Sequence, residues 1–255
     1  MIPSSEPRRV LALMPHPDDI EILCAGTLLR LREEAGCELH LVTMTAGDKG
    51  SATQTSAEIG AIRRQEAEAA AKSLGAASYR CLDFNDLEIV FDNDARRRVT
   101  EVLRAVDPFL VITTPPQDYM FDHEITSQLV RDACFNASVP LYAESAPASG
   151  VPYLYYSDAI EGHDSYGEPS RVSCLVDISA RIEAKSRALM CHDSQRSWLK
   201  KQHGMDNYIE SMKSWGAQRG QQIGVDFAEA FCQHLGHPHP QDDVLAQLVG
   251  AVPSP

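Results

Sequence analysis

Two short segments of the sequence place histidine and aspartate side chains directly after apolar runs. Residues 10–14 lead into Pro-His-Pro-Asp-Asp at positions 15–19, and residues 109–114 lead into a segment that ends in Asp122 and His123. Imidazole nitrogen and carboxylate oxygen suit zinc, whose catalytic sites usually combine three protein ligands with one open position. The residue types therefore predict a metal centre that could activate water.

Each segment is expected to lie on a turn that follows a buried strand. Proline at positions 15 and 17 ends the first strand, and apolar residues resume with helical spacing after Asp19. His16 and one of the two adjacent aspartates could supply two ligands, and the other aspartate could take a proton from water. An isolated segment of this kind fits equally well an aspartate that only caps a helix.

The pair of segments resembles the signature of the PIG-L/LmbE-like family of zinc-dependent N-deacetylases, which remove acetyl groups from N-acetylglucosamine-type sugars. The first family motif, His-Pro-Asp-Asp-Ile-Glu before a glycine-bearing helix start, matches residues 16–26. The second, His-Pro-Asp-His, is matched only in its last two positions. The resemblance covers about residues 8–200 and includes residues 46–50, 62–67 and 185–195.

The resemblance implies a role for each matching residue. It makes His16, Asp19 and His123 the ligands of one zinc or similar divalent ion per chain. Asp18 becomes the general base. Asp122 is then expected to orient a neighbouring group by a hydrogen bond.

Four residues outside the metal ligands are candidates for contacting substrate or stabilising charge, namely Arg64, Lys49, Tyr119 and His192. The family resemblance makes Arg64 a candidate, because a guanidinium group can bind a hydroxyl or anionic group through two hydrogen bonds. Lys49 follows the second strand and could meet a substrate oxygen or be an ordinary loop lysine. Met120 stands where the family often has a histidine that helps to stabilise the oxyanion, and methionine cannot donate a hydrogen bond. We expect Tyr119 or His192 to donate instead, or else a slower or different reaction.

Length and periodicity predict an α/β fold. The 255 residues, 44% of them hydrophobic, can bury one large core. Apolar runs alternate with helical patterns, which indicates a Rossmann-like, mostly parallel sheet flanked by helices in a single domain. We expect one deacetylase-like domain over residues 1–255. Its core would span about residues 8–200, followed by a helical C-terminal extension at about 201–235 and a loose tail.

Composition limits the class of partner. The net charge of −13 argues against a nucleic-acid partner, which needs concentrated Lys and Arg. Seven cysteines without a Cys-x-x-Cys pair fit reduced thiols in a cytosolic protein. The sequence shows neither an apolar signal region nor eighteen consecutive apolar residues. We therefore expect a cytoplasmic protein without a membrane span. The family resemblance implies a small N-acetylated sugar or conjugate as its partner, and we also expect a homo-oligomer.

The predicted function is zinc-dependent removal of an acetyl group from an N-acetylglucosamine-type sugar or conjugate. One alternative is a zinc amidase that acts on another N-acyl substrate, such as an antibiotic or a thiol conjugate. The other is a non-catalytic relative that binds metal or sugar, which Met120 suggests.

Overall fold

The fold is built on one mixed, mostly parallel sheet. The structure is a computed structural model that describes residues 7–195 and 208–254. Its strands are β1 Arg9–Met14, β2 Glu38–Thr45, β3 Ser78–Phe84, β4 Leu110–Thr113, β5 Tyr153–Ser157, β6 Cys174–Asp177, β7 Ala228–Gln233 and β8 Val252–Pro253. They form one sheet in the order β3-β2-β1-β4-β5-β7-β6-β8. The predicted fold class, a Rossmann-like parallel sheet flanked by helices, is confirmed.

Helices follow most of the strands and cover both faces. They are α1 Asp19–Leu23, α2 Ala25–Ala35, α3 Ser56–Ser73, α4 Asn93–Val106, α5 Phe121–Asn136, α6 Ile182–Leu189, α7 Tyr208–Ile223 and α8 Val244–Val249. Local signals set several of their ends. Thr55 and Glu58 form a reciprocal capping box at the start of α3, and α2 ends at Gly36 with φ 66°. In the described residues, no helix combines the length and the apolar character needed to cross a membrane.

The two central strands bring the two sequence motifs together. β1 pairs in parallel with β2 on one side and with β4 on the other, with Val10 opposite Leu110. Alternate β1 residues enter two different cores, so that Val10 packs on one face of the sheet and Leu11 on the other. Because β1 and β4 are parallel, their carboxyl ends lie at the same edge. The turns that carry His16 and His123 therefore meet there.

Two segments differ from what their sequence favours. Residues 139–143 are apolar enough for a strand but contain a single 3₁₀ turn, Pro140–Tyr142. Within the extension predicted as helical at about 201–235, α7 is a helix, but residues 228–233 form β7, which lies inside the sheet between β5 and β6. The tail predicted as loose packs on its own chain, since His239 is buried and its Nδ1 lies 2.9 Å from the carbonyl oxygen of Pro152. The start of the predicted extension, residues 201–207, lies outside the described residues.

Candidate active site

His16, Asp19 and His123 form a compact cluster at the carboxyl edge of the sheet. Their ligand atoms all lie within 4.8 Å of one another, and all three residues are buried. Nδ1 of His16 is 3.2 Å from one carboxylate oxygen of Asp19, and Nε2 of His123 is 3.6 Å from the other. Two imidazoles and a carboxylate match the donor set of an open catalytic zinc site.

The unpaired nitrogen of His123 supports this fit. Nε2 of His123 is buried and has no hydrogen-bond partner among the described residues. A buried polar atom without a partner is rare, because losing its hydration costs free energy that a hydrogen bond or a metal bond normally offsets. A divalent cation among these three side chains would satisfy that nitrogen.

Asp118 holds the ring of His123. Oδ2 of Asp118 lies 2.8 Å from Nδ1 of His123, and both side chains are completely buried. A proton on Nδ1 leaves Nε2 free to accept a metal, as a carboxylate next to a ligating histidine commonly ensures. Asp118 lies five residues before His123, and that spacing alone does not indicate this contact.

Asp122 lies beside the other histidine. Its Oδ2 is 3.3 Å from Nε2 of His16, whose second carboxylate neighbour is Asp86 at 3.1 Å. Burial lowers the pKa of His16, but the carboxylates of Asp122, Asp19 and Asp86 outweigh burial and raise it well above the ordinary value. Asp122 therefore lies next to His16, where it could orient that ring, and Asp118 lies in the corresponding position next to His123.

We expect Asp118→Asn to weaken metal affinity about 10–100-fold, the usual effect of losing a carboxylate that orients a ligating histidine. The amide keeps the shape of the side chain but removes the charge that fixes the ring of His123. Affinity can be measured by competition with a chromogenic zinc chelator. Asp94→Asn, on the exposed first turn of α4, is the control and should bind metal as the parent does. Parent-like affinity in Asp118→Asn would show that Asp118 does not tune the site.

Asp18 is positioned as a buried carboxylate beside this cluster. It precedes α1 with φ 98°, in the left-handed region, and forms no side-chain hydrogen bond to the helix. The helix-capping alternative is therefore wrong for Asp18. The hydroxyl of Tyr208 donates to its Oδ2 at 2.6 Å. Burial raises the pKa of Asp18 although the nearby Arg63 lowers it, which moves the carboxylate toward the range of a general base.

Arg63, and not Arg64, lies in the site. Arg63 is buried and donates to the carbonyl oxygens of Pro17 at 2.8 Å and Gly47 at 3.0 Å, and its Nη2 lies 3.5 Å from Asp18. It thereby ties together the loops after β1 and β2. Arg64 turns outward and pairs with the exposed carboxylate of Asp83. The candidate role of Arg64 in binding substrate is therefore corrected.

An open cavity of about 370 Å³ leads from the surface to the cluster. Lys49, Tyr119 and Met120 all line it. The ring of Tyr119 packs edge-on against His123 with centroids 5.3 Å apart. The other lining residues are His16, Asp18, Asp19, Ile22, Gly50, Arg63, Asp86, Leu87, Ile160, Gln195, Tyr208 and Trp215.

His192 does not fit its expected role as an oxyanion donor. It is 1% exposed, is absent from the cavity wall, and its Nε2 lies 3.3 Å from a carboxylate oxygen of Glu21. Burial lowers the pKa of His192, but the charges of Glu21 and Asp18 raise it above the ordinary value. His192 therefore lies behind the cavity wall, and Tyr119 is the candidate donor that lines the wall.

The fold and the cluster together define an α/β protein with a metal-capable His/Asp site at the carboxyl ends of its strands. A family model described as PIG-L, GlcNAc-PI de-N-acetylase, matches residues 11–134. The diacetylchitobiose deacetylase of Thermococcus kodakarensis is 30% identical over 205 residues, which cover 76% of this chain and 72% of that protein. The chain belongs to the PIG-L family.

Two further similarities bear on the fold and on the range of reactions. The structure of N,N'-diacetylchitobiose deacetylase from Pyrococcus horikoshii has a TM-score of 0.75 and 25% identity, covering 93% of this chain and 88% of that chain. The 4-oxalmesaconate hydratase of Pseudomonas putida is 27% identical over 229 residues, 87% of this chain and 84% of that protein. Similar proteins thus include both deacetylases and a hydratase.

Proposed function

We propose that this protein is a metal-dependent deacetylase that hydrolyses the N-acetyl amide of an N-acetylglucosamine-type sugar or conjugate. The observation that supports this most is the buried cluster of His16, Asp19 and His123, with an unpaired Nε2 on His123 and the carboxylate of Asp18 beside it. The deacetylases among the similar proteins agree with this reaction class.

Different residues of the chain would serve different steps of amide hydrolysis. A divalent ion held by the three ligands would supply Lewis acidity, which polarises a carbonyl oxygen and lowers the pKa of water. Asp18 would take a proton from the water that attacks the carbonyl carbon, and would then give it to the departing amine. The Tyr208 hydroxyl, whose pKa is raised by burial and by Asp18, stays protonated and fixes the Asp18 carboxylate.

The cavity suits one sugar ring and its N-acetyl group. Trp215 and Tyr119 provide aromatic surface in its wall, and Lys49 is half exposed there as a hydrogen-bond donor. Binding sites for small molecules typically combine such apolar surface with a few polar groups that fix orientation. The open mouth leaves room for a glycoside or conjugate to extend from the ring.

Acetate release tests this function. Purified protein is incubated with N-acetylglucosamine, N,N'-diacetylchitobiose and an N-acetylglucosamine conjugate, and with N-acyl antibiotics or thiol conjugates as competing classes. We expect acetate from at least one amino-sugar substrate, loss of turnover after chelation, and recovery with zinc. Turnover that survives complete removal of metal, or acetate released only from the other classes, would contradict the proposal.

Tyr119→Phe is expected to lower kcat about tenfold with unchanged metal content. Its hydroxyl is a donor at the cavity wall next to Met120, which replaces the family's histidine, and one hydrogen bond is worth about 1.4 kcal/mol or less. Steady-state acetate release measures the effect. Tyr166→Phe, an exposed tyrosine outside the cavity, serves as control. Parent-like kcat in Tyr119→Phe would remove Tyr119 from the oxyanion assignment.

A second candidate function is the addition of water to an activated carbon–carbon double bond. Two observations favour it: Met120 cannot donate to a developing oxyanion, and the chain is similar to a hydratase along most of its length. Hydration can also use a metal-activated water and a base, so the same cluster would serve. The loss of ultraviolet absorbance of an unsaturated polycarboxylate, without acetate release from amino sugars, would favour this candidate over deacetylation.

A further inference from the structure

A second cavity, which we call the arginine cavity, lies on the face of the sheet that α5 covers. Its volume is about 550 Å³, and in the described part of the chain it shares no lining residue with the active-site cavity. Its walls come from the loop after β4, from α5, from β5 and β7, and from residues 164–171. The polar residues that matter for its chemistry are Arg131, Tyr156, Ser170, Arg171 and His234.

The two arginines give this cavity an unbalanced positive charge. Neither Arg131 nor Arg171 forms an ion pair with a carboxylate within residues 7–195 and 208–254. The one described carboxylate in the wall, Asp164, is held by the amides of Tyr166 and Glu168 at 2.8 and 3.0 Å. In a chain of net charge −13, two guanidinium groups that have no carboxylate partner among the described residues and share one concave site point to a negatively charged ligand.

Uncharged donors line the same cavity. The hydroxyl oxygen of Ser170 is buried but has no hydrogen-bond partner in the described part of the chain. The Tyr156 hydroxyl lies 3.1 Å from Nδ1 of His234, and the rings meet edge-on. Since buried polar atoms are normally satisfied, the Ser170 hydroxyl is available for a ligand oxygen.

The pKa of His234 is consistent with the positive charge of this cavity. Burial lowers the pKa of His234, and the neighbouring His239 and Arg131 lower it further, to about 4. The ring is therefore neutral near pH 7, so it can donate or accept a hydrogen bond without adding charge. An anion beside Arg131 would relieve the repulsion that disfavours its protonated form.

We propose that the arginine cavity binds the carboxylate or phosphate group of a small organic anion, with Arg131 and Arg171 as the charged donors. Planar guanidinium groups bind both kinds of oxyanion bidentately. Pro115 and Leu235 supply apolar wall for the rest of the ligand. The site lies close to the catalytic machinery along the chain, because Arg131 is two turns, about 12 Å, after His123 on α5.

Calorimetric titration with two probes tests the proposal and separates the two ligand classes. Inorganic phosphate represents the phosphate class and succinate the carboxylate class, each titrated at constant ionic strength with sodium chloride as the reference anion. We expect saturable binding of at least one probe. Both Arg131→Gln and Arg171→Gln should weaken it at least about tenfold, or 1.4 kcal/mol. Arg187→Gln, an exposed arginine on α6 that makes the same change in net charge, should bind as the parent does.

A chemical readout provides independent support. Phenylglyoxal should modify Arg131 and Arg171 in the free protein, and the bound probe should protect both, as peptide mass spectrometry can show. Binding that persists in both arginine variants would belong to another site, such as the metal centre, and would overturn the proposal. Equal weakening in Arg187→Gln, or no saturable binding of either probe, would overturn it as well.

Discussion

Asp18→Asn is expected to lower kcat about 10²–10⁴-fold while the protein keeps its metal, because general-base catalysis typically contributes that factor. The amide can still accept the hydrogen bond that Tyr208 donates to Oδ2, so the geometry of the turn should survive. It cannot take a proton from water. Acetate release and metal content are measured on the same preparation.

Asp19→Asn is the informative counterpart to that variant. Asp19 accepts from the backbone amide of His16 at 2.8 Å and faces both histidines, so its amide analogue should lose affinity for metal. Restoring saturating zinc should recover part of its activity, whereas Asp18→Asn should not respond. If Asp18→Asn loses metal and Asp19→Asn keeps it, ligand and base have been exchanged in the proposed assignment.

His123→Ala is expected to abolish stoichiometric metal binding and to reduce turnover to background. It removes one of three ligands and leaves two donors, too few for a catalytic site of this type. Elemental analysis after dialysis against dilute zinc measures the loss. His163→Ala, at an exposed loop histidine, should retain metal and activity.

Because His123 is completely buried, folding must be checked separately. Thermal unfolding of His123→Ala is compared with that of His16→Ala, whose side chain is slightly more exposed. The two variants should share the loss of metal even if their stabilities differ. Stoichiometric metal retained in both folded variants would rule out the proposed ligand set.

The sequence carried enough local information to predict the strand ends and the metal-capable residues. Prolines at 15 and 17 end β1, and the Thr55 and Glu58 capping box starts α3. Each of these signals acts within a few residues, so no tertiary contact is needed to interpret it. Because β1 and β4 pair in parallel, the turns that carry His16 and His123 lie at the same edge of the sheet.

The positions of Arg63 and Arg64 differ because only one of them lies on the buried face of α3. Ile59, Arg63 and Ala67 recur at intervals of four and are all buried, so Arg63 continues the apolar stripe, whereas Arg64 lies about 100° around the helix. That spacing was visible in the sequence. The family resemblance, and not this spacing, made Arg64 the candidate. A charged residue on an apolar stripe needs partners, and those of Arg63 are backbone carbonyls of other loops.

Asp118, Asp86 and β7 could not be placed from sequence in the same way. The contact of Asp118 with His123 depends on how the loop after β4 turns, and Asp86 reaches His16 from the loop after β3. Phe227, just before β7, and Ala230 and Phe231 within it have helical spacing, yet β7 pairs antiparallel with β5 and β6. Tertiary pairing overrides local preference in such a short segment.

The position of β7 has a consequence for the order in which the chain can fold. Glu229 on β7 accepts from the backbone amides of Gly26 and Thr27 and pairs with Lys185 at 2.6 Å, although 203 residues separate it from Gly26. During synthesis, β5 and β6 therefore emerge before β7, which lies between them in the sheet. Until β7 has been made, the backbone amides at the start of α2 lack Glu229, which accepts their hydrogen bonds. Contacts of such long range slow folding and leave strand edges open to other chains. A nascent chain that stops before Ala228 should therefore depend on chaperones to avoid aggregation.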